Sequence, residues 1–86
     1  MSVSENVRIF ICFVAVGVCC ECVCQKSRSF SDILPEVYGI YRHEIQDLYL
    51  LDENSLIYEK NSGILCDPHV SLNSLGVRDG MIFQIL

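Results

Sequence analysis

The feature that most constrains this chain is an alternation that begins at Val7. Val7, Ile9, Ile11 and Phe13 alternate with Arg8, Phe10, Cys12 and Val14, the period of two that sends successive side chains to opposite faces of a β-strand. Both sets are largely apolar. Ala15-Val16-Gly17 supplies a reversal, and a second strand then places Cys20, Cys22 and Cys24 on one face and Glu21 and Val23 on the other. With 86 residues the chain has room for one domain. An apolar content of 51% and a mean hydropathy of +0.37 supply a packed core and exclude a disordered tail or linker. We assign residues 1–6 to an N-terminal extension and residues 7–86 to the domain.

A polar break over residues 25–29 separates the hairpin from a helix. Ser29 and Asp32 have the spacing of a capping box, while Asp32 is itself able to cap a helix starting at Ile33. Pro35 favours the second arrangement. With Asp32 as the cap, the proline falls at the third helical position, where its missing N–H is no loss; with Ser29 it falls mid-helix. Ile33, Leu34, Val37, Tyr38 and Tyr41 form one apolar stripe, and Arg42 and His43 suit the negative end of the helix dipole. Strand signals return in the second half. An apolar run at residues 48–51 precedes a polar turn at 52–55; Leu56-Ile57-Tyr58 and Ile64-Leu65-Cys66 flank a turn at 60–63. Leu72 and Leu75 sit in a short helical turn, and Asp79-Gly80 reverses the chain into a last strand over residues 81–86.

Charge and cysteine usage narrow the function classes. Eleven acidic against six basic residues leave a net charge of −5 with no basic run, a balance that repels a phosphate backbone, so nucleic acid is not an expected partner. Five of the six cysteines, Cys12, Cys19, Cys20, Cys22 and Cys24, crowd into one segment. Disulfide scaffolds spread their cysteines to close long loops. We therefore read these as thiols serving as small core hydrophobes in a reducing, cytoplasmic compartment. Cys20, Cys22 and Cys24 are expected to face the helix, with Cys12 on the opposite, more reactive face. The uncharged run over residues 9–20 is too short to span a bilayer. It also lacks the positive charge and cleavage site of an export signal.

Two constellations bear on chemistry. Cys19 and Cys22 form a C-x-x-C and Cys66 and His69 a C-x-x-H, together the ligand count of a structural zinc site. On a strand, however, residues three apart point to opposite faces, so no metal is expected there. Cys66 with His69 as a nucleophilic pair would need a cleft and a third residue to orient the imidazole. Neither a phosphate-binding glycine loop nor G-x-S-x-G nor H-E-x-x-H occurs. Neither an enzyme nor a cofactor is implied.

The segments VRIFICF at residues 7–13, FSDILPEV, LIY at 56–58 and the closing SLNSLGVRDGMIFQIL resemble the first strand, helix start, central strand and final segment of ubiquitin. The ending Leu-Gly-Val-x-x-Gly before a strand closing on Ile-Leu is similar to the YukD-like branch, small bacterial ubiquitin-like proteins associated with type VII (WXG100) secretion. The resemblance implies an α+β, ubiquitin-like β-grasp: a mixed sheet of four to five strands with one helix packed across it, and the first strand parallel to the last. It further implies a non-catalytic protein-interaction module, an accessory or adaptor with secretion-system proteins as partners. Because residue 86 falls inside the last strand, without a Gly-Gly tail, conjugation is not expected. By similarity, the partner-binding surface comprises Val14, Ile57 and Leu86, with Phe10 at its margin. The alternative is an exported or zinc-stabilised cysteine-rich module. Oligomeric state is not legible.

Overall fold

The computed structural model describes residues 5–45 and 56–86. The apolar run at 48–51 and the turn at 52–55 lie outside them. Five strands, β1 (Asn6–Phe13), β2 (Val18–Gln25), β3 (Ile57–Glu59), β4 (Leu65–Cys66) and β5 (Ile82–Ile85), form one sheet in the order β2-β1-β5-β3-β4. Helix α1 (Phe30–Ile40) follows β2, and the single turn α2 (Arg42–Ile45) follows α1. The opening hairpin is antiparallel, and its reversal is one 3-10 turn over Val14–Val16 ended by Gly17. At φ 68° Gly17 adopts the left-handed conformation that a Cβ disfavours, and its N–H donates to the Phe13 carbonyl at 3.0 Å.

Strand β5 runs parallel to β1, with Ile11 beside Phe83 and Phe13 beside Ile85. The first and last strands thus occupy the middle of the sheet, as the α+β expectation required. Alternation decides what each contributes. Val7, Ile9, Ile11 and Phe13 from β1, and Phe83 and Ile85 from β5, point inward and meet Phe30, Ile33, Leu34 and Val37 from α1. The Phe30 and Phe83 rings pack edge to face at 4.9 Å between centroids. Cys20 and Cys24 complete the inner face of β2, as expected, and Cys22 packs against the same core.

The helix start departs from the expectation. Ser29, not Asp32, is the N-cap, and Asp32 is its capping-box partner: its Oδ2 accepts from the Ser29 N–H at 3.3 Å and from the Ser29 hydroxyl at 3.2 Å. Pro35 is therefore inside the helix. Its missing N–H leaves the Ser31 carbonyl without a helical donor. Ser31 is exposed, so water reaches that carbonyl. Starting at Phe30 also brings a fully buried aromatic side chain into the helix, which a start at Ile33 would leave out.

The segment between β4 and β5 closes the core over the helix start. Ser31 N–H donates to the Pro68 carbonyl, Leu72 N–H to Arg28, and Asn73 N–H to Lys26. These bonds seat Leu72 and Val77 in the core. Gly80, at φ 86°, then turns the chain into β5, where its N–H donates to the Arg8 carbonyl at 2.8 Å.

Candidate functional site

With α1 covering one face of the sheet, the other face carries the even-numbered residues of β1, β3 and β5 and the odd-numbered ones of β2 and β4. The register arranges them in rows. Phe10 lies between Glu21 and Ile82; Cys12 lies between Cys19 and Gln84, and Gln84 in turn beside Tyr58, which pairs with Leu65. Past the last β1–β5 pair, Leu86 follows Ile85, while Val14 opens the 3-10 turn after Phe13. Leu86 N–H donates to the Leu56 carbonyl at 2.9 Å, bringing Leu56 into the same row. Val14, Leu86 and Leu56 are 46%, 54% and 43% exposed. Leu86 and Leu56 form an apolar edge beside half-buried Tyr58, Val14 sits on the turn after β1, and half-buried Phe10 and Ile82 lie further along the face.

Of the residues expected at this surface, Val14 and Leu86 are exposed at one end and Phe10 lies further along the same face. Ile57 does not belong with them. It is 1% exposed and sits in the core opposite Ile85. A strand residue one position away points to the other face, so β3 offers Leu56 and Tyr58 outward instead. The resemblance to ubiquitin, and not the residue pattern, puts Ile57 at the surface. Glu59 shares the inward parity of Ile57 and is buried. Its carboxylate accepts the Asn61 and Ser62 N–H groups, both at 2.9 Å, which holds the carboxyl below its ordinary pKa.

The cysteine reading needs one correction. Cys12 and Cys19, directly opposite in the hairpin, are joined by a disulfide; Cys12 is not the reactive thiol of its face. The two Cα atoms are 3.9 Å apart, the close approach of a pair that exchanges no backbone hydrogen bonds. The cysteines that point inward behave as expected. Burial, followed by the neighbouring Cys22, pushes the Cys24 thiol up to about 12. Burial also raises Cys22 and Cys66, so none of the three is poised as a thiolate at neutral pH.

The zinc quartet is not assembled. Cys19 is in the outer-face disulfide, Cys22 points inward, Cys66 is buried on β4 and His69 is exposed in the following loop. Among the described residues no three potential metal ligands converge. Near the start of β1 a shallow, open groove is lined by Arg8, Phe10, Val23 and Asp79. The Arg8 side chain there pairs with Glu21 at 3.2 Å, and its backbone N–H donates to Asp79.

No protein-family model matches the chain, and no curated protein matches it in sequence. Solved structures do match. A de novo design based on ubiquitin superposes with a TM-score of 0.71 at 11% identity, over 95% of this chain and 88% of that one. A ubiquitin-like domain of an Arabidopsis thaliana protein gives 0.69 at 11%, over 100% and 81%. The fold is the ubiquitin-like β-grasp. The ubiquitin-like domain of the Mycobacterium tuberculosis type VII secretion protein ECCD1 gives 0.64 at 13%, over 96% and 99%. At these identities the likeness concerns the ubiquitin-like fold, and the outer-face residues stand on the geometry above.

Proposed function

We propose that this ubiquitin-like chain is a non-catalytic protein-interaction module, a cytoplasmic accessory or adaptor of a bacterial type VII secretion apparatus, and that it binds a protein partner through the outer face of its sheet. The observation that carries the reading is the adjacent pair Leu86 and Leu56 at the end of the sheet, with Val14 on the turn that follows β1: three large apolar side chains, each more than two-fifths exposed. Contiguous apolar surface of this kind marks interaction sites. In this reading recognition is non-covalent, through exposed side chains on backbone held by bonds such as Leu86 N–H to the Leu56 carbonyl. The secretion link is supported by the full-length likeness to the ECCD1 domain. No helix among the described residues is long and apolar enough to cross a membrane.

The test is titration of the protein against the soluble domains of its host's type VII secretion components. Leu86→Ser and Leu56→Ser should each weaken binding about tenfold or more, or roughly 1.4 kcal/mol, with the melting temperature nearly unchanged. Absence of binding to every component refutes the secretion link; binding unaffected by both substitutions refutes the surface. The Cys12–Cys19 bond favours a second reading, an exported module, because disulfides persist in oxidising compartments. Alkylation at the moment of lysis separates the two. Six blocked thiols support the cytoplasmic reading, and a bond already present in the cell supports export.

A further inference from the structure

The sheet has two edges, and they are finished differently. On one side β4 has two residues, too short to template another strand. On the other, β2 is eight residues long and, among the described residues, pairs only with β1. Sheet edges are ordinarily blunted by lysine, proline, a bulge or brevity. Strand β2 has none of these: its sequence is VCCECVCQ, its register with β1 is uninterrupted, and its single charge, Glu21, is engaged by Arg8.

The ladder shows which backbone groups face outward. Lys26 N–H donates to the Glu5 carbonyl, so residues 5 and 26 form a hydrogen-bonded pair. In an antiparallel ladder such pairs alternate. Residues 20, 22 and 24 therefore direct their N–H and C=O groups to β1, and residues 19, 21, 23 and 25 direct theirs away from the sheet. The close Cys12–Cys19 pair fits this phase. The Gln25 carbonyl is used by the Arg28 N–H; the remaining groups form a row of donors and acceptors beside Val23, which is 63% exposed.

We propose that β2 is a self-association edge: two copies pair their β2 strands antiparallel about a two-fold axis through Cys22, joining the two sheets into one. Symmetry and sequence select this register. A two-fold axis perpendicular to the sheet keeps inner residues opposite inner ones. Centring it on Glu21 would set two carboxylates face to face. An axis at Val23 or Cys20 would leave much of the edge unpaired. About Cys22 residues 19–25 are all paired, with Glu21 opposite the second copy's Val23, Cys20 opposite its Cys24, and Cys22 opposite its own equivalent. No like charges meet, and the inner row is small and apolar throughout. The Cys12–Cys19 bond holds the edge in its pairing conformation beforehand, which lowers the ordering cost of association. Each copy carries −5, so long-range repulsion opposes the pairing and salt should strengthen it.

Sedimentation equilibrium of the full chain across micromolar to millimolar concentration tests this. Wild type should dimerise, more tightly at 1 M than at 0.1 M salt. Val23→Glu, which sets two carboxylates opposite each other, should weaken dimerisation at least tenfold. Adding Glu21→Lys should restore it, because the introduced lysine then meets the introduced glutamate of the second copy. Val23→Pro should also give a monomer, since it removes an N–H that points away from β1, and circular dichroism should show it folded. A wild type that stays monomeric overturns the proposal. So does a dimer that ignores Val23→Glu, or a charge pair that fails to rescue while both variants remain folded. An edge that instead binds an extended peptide, with the chain itself monomeric, overturns the assignment of a second copy as occupant.

Discussion

Along β1, the odd-numbered residues Val7, Ile9, Ile11 and Phe13 are at most 1% exposed, while Arg8, Phe10 and Cys12, one position away on the same strand, remain accessible. The inner face is constrained by packing: helix, hairpin and closing segment all fill the same volume, and a change in one side chain is felt by its neighbours. The outer face carries no covering element among the described residues. It holds an ion pair, a disulfide and an apolar row with no packing duty. The contrast separates residues that make the domain from those available to make it useful. Several substitutions test where that boundary runs.

The largest effect is expected at the centre of the inner face. Phe83→Ala removes a ring that is 1% exposed and stacked edge-on against Phe30, and should cost about 3–5 kcal/mol in urea unfolding. Next is the outer-face crosslink. Replacing Cys12 and Cys19 together by serine frees a hairpin loop with a sequence separation of 7, which loop entropy values at about 2 kcal/mol. Cys22 and Cys24 should resist alkylation in both forms until the protein unfolds.

A smaller effect belongs to Glu59. Its folded carboxyl lies below the ordinary glutamate value because the Asn61 N–H, and after it the Ser62 hydroxyl and N–H, hold the ionised form. The group therefore binds protons more weakly folded than unfolded. Its stabilisation is full above the unfolded value, about pH 4.3, and is lost as pH falls through the folded one. Glu59→Gln should flatten that part of the acid limb and leave the pH dependence between about 6 and 8 unchanged.

The architecture is legible where alternation is long. The alternating residues of β1 and the hairpin reversal specify a sheet, while the placement of β5 beside β1 is what the resemblance to ubiquitin implies. The helix start is misleading because proline chemistry weighs against Ser29 until the Phe30 side chain is counted, and its burial outweighs one lost N–H. Pairing of Cys12 with Cys19 is hidden when each strand is taken alone; only the hairpin register sets them opposite each other. Ile57 is misassigned because the resemblance carries it over by position alone. In a strand of three residues, alternation is too brief to correct that assignment. Val14 and Leu86 are exposed and Phe10 is half-buried.

The adjacent pair Leu56 and Ile57 gives the most direct test of the division between the two faces. Each is replaced by alanine, and the free energy of unfolding is measured in urea for both variants. Ile57, at 1% exposure, should lose about 2–5 kcal/mol, and Leu56, at 43%, should stay within about 0.5 kcal/mol of wild type. Comparable losses, or a larger loss at Leu56, would contradict the assignment of Leu56 to a recognition surface and of Ile57 to the core.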